Sequence, residues 1–411
     1  MQYRTNPRNG DKLSILGFGC MRFTGNEMKS FVGKPNPQKA ENLIMSAIDR
    51  GVNFFDTAYI YSGSEEVLGK TLKKNGVREK VYITTKLPLI MCKSKSDLDK
   101  FFNRQLERLQ TDYIDYYLFH MLSDTETWNK LCGWDIESWI QEKKASGKIR
   151  QIGFSFHGFR DEFLALLDVY DWDIVLVQYN YSDENYQAGI AGIEKAASKG
   201  IPVMIMEPLL GGQLVRGLPQ AAVSRFKKTN PDLSPAAWAL KWVWNKPEVT
   251  LLLSGMNEMT QLDENIRVAE TATPNMLSQE EIETYKDVKK IFSDSFKIPC
   301  TGCHYCMPCP FGVNIPVCFT AYNTYHSISK GTGKLQYSMS TLLSEKAGYA
   351  SLCKKCGKCE PSCPQHIEIA KSLKDVEKQM ENIMFKVMRF GVKTFTGRKK
   401  NKKSNKTGGN Q

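Results

Sequence analysis

Residues 52–58 read VNFFDTA, a short apolar run that ends beside a carboxylate. Seven other short runs are rich in apolar, β-branched or aromatic side chains: 16–21, 81–87, 114–120, 149–156, 174–180, 202–209 and 249–255. Longer amphipathic stretches separate them, among them 38–49, 98–109, 136–145 and 186–198. Apolar strands that alternate with helices predict a parallel sheet buried on both faces. Eight such units in about 250 residues fit a closed (β/α)8 TIM barrel.

The competing architecture is a doubly wound nucleotide-binding sheet. Its fingerprint is G-x-G-x-x-G directly after the first strand. Gly17 and Gly19 fill the first two positions, but the third position holds Arg22. The sequence therefore favours the barrel.

The net charge of +12 is concentrated at the end of the chain. Nine lysines and arginines and no acidic residue lie at or after Lys386, so the preceding body is close to neutral. A basic tail on such a body does not predict a nucleic-acid-binding protein. No apolar run reaches the roughly 18 residues of a membrane span, and residues 1–19 lack the pattern of a secretory signal. We therefore expect a cytoplasmic protein.

The twelve cysteines are unevenly placed, because nine of them lie between Cys300 and Cys363. In a chain without a secretory signal, dense cysteines indicate metal binding rather than disulfides. The second run, C-x2-C-x2-C-x3-C-P, consists of Cys353, Cys356, Cys359 and Cys363 with the following proline. This spacing is typical of bacterial ferredoxins with [4Fe–4S] clusters. Zinc, the alternative, usually uses two separated C-x2-C pairs.

The first run has a last gap one residue shorter, and Cys318 lies nearby. In two-cluster ferredoxins the fourth cysteine of each run ligates the other cluster. By this analogy we predict two clusters. The ligand sets are Cys300, Cys303, Cys306 and Cys363 for one cluster, and Cys309, Cys353, Cys356 and Cys359 for the other.

Four polar side chains lie at or just beyond the carboxyl ends of the second, third and fourth predicted barrel strands: Asp56, Tyr61, Lys86 and His120. TIM barrels place their chemistry at this end of the strands. Each residue also has a structural explanation, as a helix cap, a loop aromatic, a strand end or a core histidine. Their joint placement favours an active site.

The motifs around these residues resemble those of the aldo-keto reductase family. DTAYIY at 56–61, S-E-x2-L-G at 64–69, ITTK at 83–86 and FH at 119–120 carry the resemblance, with IGFS at 152–155, QYN at 178–180 and EPL at 207–209. It extends from about Leu13 to Ala269. A barrel followed by a ferredoxin-type domain is similar to an iron–sulfur branch of that family.

The resemblance implies an NAD(P)-dependent oxidoreductase that transfers hydride to or from a carbonyl or alcohol substrate. Tyr61 would be the proton donor. The ordinary pKa of a phenol is about 10, and the Lys86 ammonium, held charged by Asp56, would lower it. His120 would hydrogen-bond the carbonyl oxygen.

The resemblance also implies which residues bind the nucleotide. These are Ser155 and Gln178 for the carboxamide, Leu209, Gly211 and Gly212 for the pyrophosphate, and Glu264 and Asn265 for the adenine end. Met206 stands where many members have an aromatic residue that stacks on the nicotinamide. Gly255 and Gln261 stand where NADPH-preferring members often have cations, which a 2′-phosphate favours. Both NADP and NAD therefore remain open.

We expect a barrel over 1–275, a helical linker over 276–297, a small, mostly helical ferredoxin-type iron–sulfur domain over 298–385 and a basic, disordered tail over 386–411. Iron–sulfur clusters imply electron transfer, with a redox protein as an expected partner. Two alternatives stay open: an ordinary carbonyl reductase with structural clusters, and a non-enzymatic electron carrier or redox sensor. A helix predicted over 369–390 is expected to dock on its own domain, and with the basic tail it leaves contact with an anionic membrane surface as the alternative.

Overall fold

The computed structural model of the protein describes residues 1–23, 35–342 and 347–395. Two compact units divide the chain, Met1–Ser293 and Asp294–Gln411. No helix in the described part of the chain is long and apolar enough to span a bilayer.

The first unit contains an antiparallel pair of short strands followed by a barrel. The pair consists of β1 (Tyr3–Thr5) and β2 (Lys12–Ser14). The barrel strands are β3 (Leu16–Gly19), β4 (Phe54–Asp56), β5 (Tyr82–Leu87), β6 (Ile114–Phe119), β7 (Ile149–Ser155), β8 (Ile174–Gln178), β9 (Val203–Met206) and β10 (Val249–Ser254). All neighbours are parallel, and β10 pairs with β3 to close the ring. The TIM barrel and all eight of its predicted strands are confirmed.

Helices surround the barrel between successive strands. They are α1 (Pro37–Asp49), α2 (Ser64–Lys74), α3 (Ser96–Leu109), α4 (Thr125–Cys132), α5 (Ile136–Ala145), α6 (Arg160–Val169), α7 (Gly189–Ser198), α8 (Gln213–Arg216), α9 (Gln220–Thr229), α10 (Pro235–Trp244) and α11 (Met259–Thr271). Their apolar faces and the outward side chains of the strands form one large core. Inward side chains, such as Phe54, Tyr116 and Leu176, fill the barrel interior, so the barrel is a packed core rather than a pore.

The β1–β2 pair was not predicted from the sequence. It precedes β3 directly, and Leu13 of β2 is fully buried with the side chains of the barrel interior. The Tyr116 hydroxyl of β6 donates to the Asp11 carboxylate over 2.6 Å and accepts from the Asn6 side chain over 3.1 Å. The pair therefore packs at the end of the barrel opposite the carboxyl ends of the strands.

The segment predicted as a linker forms α12 (Gln279–Ser295), most of which belongs to the barrel unit. Tyr285 and Val288 are buried, and the Tyr285 hydroxyl donates to the Trp238 carbonyl over 2.6 Å. The division between the units therefore lies after Ser293, later than the expected boundary at 275. An amphipathic helix that buries an aromatic face on the barrel is part of it.

The second unit is mostly helical, as expected. Its helices are α13 (Ile315–Ser327), α14 (Lys330–Leu342), α15 (Ile369–Met380) and α16 (Ile383–Phe395), and they share a core with residues of the cysteine runs. The single helix predicted over 369–390 is thus two helices. Helix α16 continues past 386, where the tail was expected to begin, and residues 396–411 lie outside the described part of the chain.

Candidate active site and iron–sulfur centre

The carboxyl ends of the barrel strands bring the four predicted catalytic residues together. Asp56 ends β4, Lys86 lies next to the end of β5, and His120 follows β6. Tyr61 lies in the turn before α2, where its amide donates to the Ala58 carbonyl over 3.0 Å. The Lys86 ammonium is 5.1 Å from the centre of the Tyr61 ring, and the ring centres of Tyr61 and His120 are 6.1 Å apart at 87°.

Burial dominates the electrostatics of this group. Lys86 Nζ donates to Asp56 Oδ1 over 2.5 Å and to the Thr57 carbonyl over 2.8 Å, and Lys86 is 1% exposed. Burial lowers the pKa of Lys86 and raises the pKa of Asp56, while the ion pair opposes both shifts. Burial, followed by the positive charge of Lys86, holds the pKa of His120 well below its ordinary value. His120 is therefore a neutral imidazole at pH 7.

A second buried network supports β5 from the helix side. The Glu65 carboxylate of α2 accepts from Thr85 over 2.7 Å and from the Gln105 side chain of α3 over 2.8 Å. Gln105 also donates to the Lys86 carbonyl over 3.1 Å, and Arg108 forms an ion pair with Glu65 at 3.1 Å. Helices α2 and α3 thus fix the strand that carries Lys86.

The residues predicted to hold the nicotinamide carboxamide also lie at strand ends. Ser155 ends β7, is almost fully buried, and accepts from the Met121 amide over 2.9 Å. Gln178 ends β8, and its side-chain oxygen is 3.5 Å from the Gln187 Nε2. Both side chains share the face of the barrel on which the catalytic residues lie.

The loop predicted to cradle the pyrophosphate has most of its amides already bonded within the loop. The Gly211 amide donates to the Glu207 carboxylate, and the Gly212 amide donates to the Leu209 carbonyl over 2.9 Å. Gly211 and Gly212 have positive φ values of 63° and 89°, a region that glycine adopts without strain. A phosphate at the Gly211 amide would replace the carboxylate of Glu207.

Two arginines that sequence analysis did not assign to this site lie beside that loop. The side chain of Arg22 packs against Gly255, where an added Cβ would lie 3.2 Å from its Cδ. The Arg216 guanidinium donates to the Gly211 carbonyl over 3.3 Å. Burial, followed by the positive charge of Arg22, lowers the pKa of Arg216, and Arg22 opposes the raising effect of burial on the pKa of Glu207. The only sequence signal was that Arg22 breaks the glycine fingerprint.

The predicted adenine end is acidic and polar rather than basic. Asn265 is buried and donates to the Ser254 hydroxyl over 3.0 Å, and Glu264 is half-buried on α11. The Gln261 side chain is used within its own helix start, where it accepts from the Asn257 amide over 2.9 Å. Glu258 caps this helix and forms an ion pair with Lys39 at 2.5 Å.

In the second unit four of the cysteines lie around one cavity. Cys300, Cys303, Cys306 and Cys363 line one cavity together with apolar residues of α13 and α15. Burial and the three neighbouring thiols raise the pKa of Cys306. Burial raises the pKa of Cys363, and the backbone N–H groups of residues 365–367 oppose it. Amides directed at a sulfur stabilise the thiolate that a metal requires.

The other four cysteines of the two runs are less enclosed by the protein than those that line the cavity. Burial raises the pKa of Cys359 to about 11, and the thiols of Cys353 and Cys309 act in the same direction, so these three are neighbours. Cys356 is exposed. Among the described residues, no three Cys, His, Asp or Glu side chains converge on a single ion. A four-iron cluster holds its thiolates farther apart than one ion does, so this finding is compatible with the cluster.

Cys318 does not join either set. It is fully buried, and its thiol donates to the Gly348 carbonyl at 3.4 Å. Cys20 and Cys92 are likewise buried, as expected for packing thiols, and Cys132 is exposed. His304 lines the cavity of the first run.

The fold and the site together define a (β/α)8-barrel enzyme joined to a cysteine-rich unit. The family model "Aldo/keto reductase family" matches residues 15–290, and "4Fe-4S dicluster domain" matches residues 299–368. The chain therefore belongs to the aldo/keto reductase family, is an oxidoreductase, and carries a C-terminal 4Fe-4S domain of the ferredoxin type. The second match favours iron–sulfur clusters over zinc.

Known relatives match the barrel region. The uncharacterized oxidoreductase YrpG of Bacillus subtilis is 26% identical, covering 73% of this chain and 97% of its own length. L-galactose dehydrogenase of Arabidopsis thaliana is 27% identical, covering 65% and 87%. The holo form of aldo-keto reductase AKR11C1 from Bacillus halodurans has a TM-score of 0.55 at 25% identity, covering 70% and 96%. A Klebsiella pneumoniae aldo-keto reductase in complex with NADPH shares the fold, with a TM-score of 0.56 at 23% identity, covering 70% and 95%.

Proposed function

We propose that the barrel reduces a carbonyl compound, or oxidises the corresponding alcohol, with a nicotinamide dinucleotide, and that Tyr61 donates the proton. The observation that carries this proposal is the convergence of Tyr61, Lys86 and His120 around one point, with Asp56 paired to Lys86. A bound nicotinamide supplies the hydride. The residues of this chain then have to orient the carbonyl and provide its oxygen with a proton.

Each side chain has a distinct role in this proposal. The Tyr61 hydroxyl donates its proton to the oxygen as negative charge develops there, and the Lys86 ammonium stabilises the phenolate left behind. Asp56 positions the ammonium through the 2.5 Å hydrogen bond. His120, neutral because of its depressed pKa, donates a hydrogen bond to the same oxygen without competing as an acid.

The test is Tyr61→Phe with 4-nitrobenzaldehyde, an electron-poor aldehyde that needs little specific recognition. We expect aldehyde-dependent NADH or NADPH oxidation to fall by at least about a hundredfold, while nucleotide affinity stays within about twofold. Tyr59→Phe is the matched control, since Tyr59 lies two residues away and packs on Phe101 and Arg108. Unchanged turnover in Tyr61→Phe refutes the proton-donor role.

We propose further that Arg22 and Arg216 bind the pyrophosphate. Two like charges beside Gly211 and Gly212 favour an anion between them. Positions 255 and 261, where NADPH-preferring members often have cations, hold Gly255 and Gln261. NADH is therefore expected to bind at least as tightly as NADPH. In calorimetric titrations, Arg22→Gln should weaken both nucleotides by a similar factor, on the order of tenfold. A loss confined to NADPH contradicts the pyrophosphate assignment and places Arg22 at the 2′-phosphate.

We propose that the second unit holds two [4Fe–4S] clusters with the crossed ligand sets described above, and that they carry single electrons to or from a redox partner. Support comes from the shared cavity of Cys300, Cys303, Cys306 and Cys363 and from the spacing of the second run. Bound clusters supply one-electron storage. The protein supplies the thiolates and, at Cys363, the amide donors that stabilise them.

A further inference from the structure

Helix α16 has two apolar faces, and one of them docks on the second unit. Phe385 is 2% exposed, with its ring centre 5.2 Å from that of Tyr337 and 6.0 Å from that of Tyr349. Met388 packs against the same core. This face satisfies the expectation that the helix docks on its own domain.

The other face is exposed to solvent. Ile383, Met384, Val387 and Phe390 are 81%, 71%, 65% and 74% exposed. At about 100° per residue, their positions cover about a third of the helix circumference. Of the thirteen large apolar side chains that are exposed in the described part of the chain, four therefore lie within eight residues of one helix. Such a concentration marks an interaction surface rather than scattered surface residues.

The segment after the helix has no apolar side chain to cover this face. Residues 396–411 contain no aliphatic or aromatic residue, and they carry six lysines and arginines without an acidic residue. Lys386 is exposed within the helix. A second copy of the same surface would bring like charge against like charge. The complementary occupant is therefore apolar at its centre and anionic over an extended area.

We propose that α16 lies in the plane of an anionic lipid surface, with Ile383, Met384 and Val387 inserted at the boundary between headgroups and acyl chains. Lys386 contacts the lipid phosphates, and the positive charge of residues 396–411 favours an anionic surface. An amphipathic helix and a polybasic segment are two separate membrane signals, and together they give stable binding where either alone is weak. An acidic protein presents a bounded patch, about 800 Å² in a standard interface, whereas a bilayer presents anionic charge along the whole length of the basic segment.

The experiment is vesicle pelleting with the full-length protein, isolated anaerobically with its clusters. Phosphatidylcholine vesicles are compared with vesicles that also contain phosphatidylglycerol. We expect binding to the anionic vesicles to be at least about tenfold stronger. Met384→Glu combined with Val387→Glu should abolish it, and truncation after Thr396 should weaken it by at least about tenfold. Ile90→Glu with Phe159→Glu, an equally exposed apolar pair on the barrel, is the matched control and should bind like wild type.

Three outcomes overturn the proposal. One is the absence of pelleting on either vesicle. Another is binding to anionic vesicles that Met384→Glu with Val387→Glu leaves unchanged, which means adsorption of the basic segment alone. The third is a dimer in light scattering, or a complex with an acidic ferredoxin, that the double substitution dissociates while vesicles are not bound. None of these readouts depends on the activity of the barrel.

Discussion

The buried Lys86–Asp56 pair lies at the proposed active site, and burying its two charges lowers the free energy of unfolding. Both side chains lose their hydration, and the burial shifts their pKa values in the directions that disfavour the ions. A buried ion pair of this kind is often replaceable by apolar residues without loss of stability, while the loss of one partner leaves an unpaired charge. The proposed role of Lys86 beside Tyr61 accounts for the pair better than the stability of the barrel does.

Because one unpaired buried charge costs more than none, a single substitution in this pair should destabilise the protein more than a double substitution. Asp56→Leu alone should lower stability by about 3–5 kcal/mol, whereas Asp56→Leu with Lys86→Met should restore melting to near that of wild type or above it. Both variants should be inactive. Thermal melts followed by circular dichroism give the melting temperatures of the three proteins. A double variant that melts below Asp56→Leu means that the unpaired charge is not the cause of the loss.

The depressed pKa of His120 predicts a pH dependence of stability. The unfolded histidine takes up a proton as pH falls through about 6.5, while the folded one stays neutral, so folding loses stability below that pH. Between pH 8 and pH 6 the loss is at most about 1 kcal/mol for one such group. Between pH 8 and pH 6, the melting temperature of wild type should therefore fall more than that of His120→Asn. An equal loss in both proteins means that His120 titrates normally when folded.

Single residues differ in how far the sequence predicts them. Asp56, Lys86 and His120 lie at or just beyond the carboxyl ends of strands, so the barrel geometry places them at one rim once the strands are recognised. Arg22 and Glu207 meet only because β3 and β9 both neighbour β10 in the closed ring, a contact across more than 180 residues that no local motif carries. The positions for nicotinamide and adenine remain predictions.

At the scale of elements, α2 and α3 act as a unit that holds β5. Gly69 makes their close approach possible, because a Cβ there would lie 2.4 Å from the Leu109 backbone. The Glu65–Gln105–Arg108 network that supports Lys86 spans the same pair of helices. The position of Lys86 therefore depends on a helix contact outside the proposed active site.

Gly69→Ala should separate the two helices and lower stability by about 1–3 kcal/mol. It should also reduce kcat, since the support of Lys86 loosens, without changing nucleotide affinity. Lys70→Ala, the exposed next residue of α2, is the control and should leave both properties unchanged. Full activity in Gly69→Ala would mean that the close contact of α2 and α3 is not needed to position Lys86.

Helices α15 and α16 show why element boundaries escape sequence analysis. The apolar periodicity continues through residues 369–390, yet the chain turns at Glu381 and Asn382. The buried Glu381 carboxylate accepts from the Tyr337 hydroxyl over 2.8 Å and from the Ser351 amide and hydroxyl, and Asn382 caps the new helix through the Phe385 amide. These partners of Glu381 lie at least 30 residues away in the sequence, so periodicity alone extends the helix across the turn.

At the scale of the whole molecule, the crossed ligand sets make a prediction that linear cysteine runs do not. Cys363→Ser should remove the cluster of the first run, and Cys309→Ser should remove that of the second, each lowering iron from about eight to about four per chain. Cys318→Ser should keep all the iron, because Cys318 donates to a carbonyl instead. Iron analysis with EPR of the reduced proteins measures this. Full iron in Cys363→Ser means that the first run holds its cluster without it.

We propose that the barrel transfers hydride directly and that Tyr61 completes the reaction, in a chain that also carries a 4Fe-4S domain. The most direct measurement is an anaerobic single turnover of the full-length protein with nucleotide deuterated at the reactive nicotinamide carbon and 4-nitrobenzaldehyde. We expect deuterium on the alcohol carbon for wild type and none for Tyr61→Phe, which should still bind the nucleotide. Nucleotide oxidation with cluster reduction but without deuterium in the alcohol would contradict it.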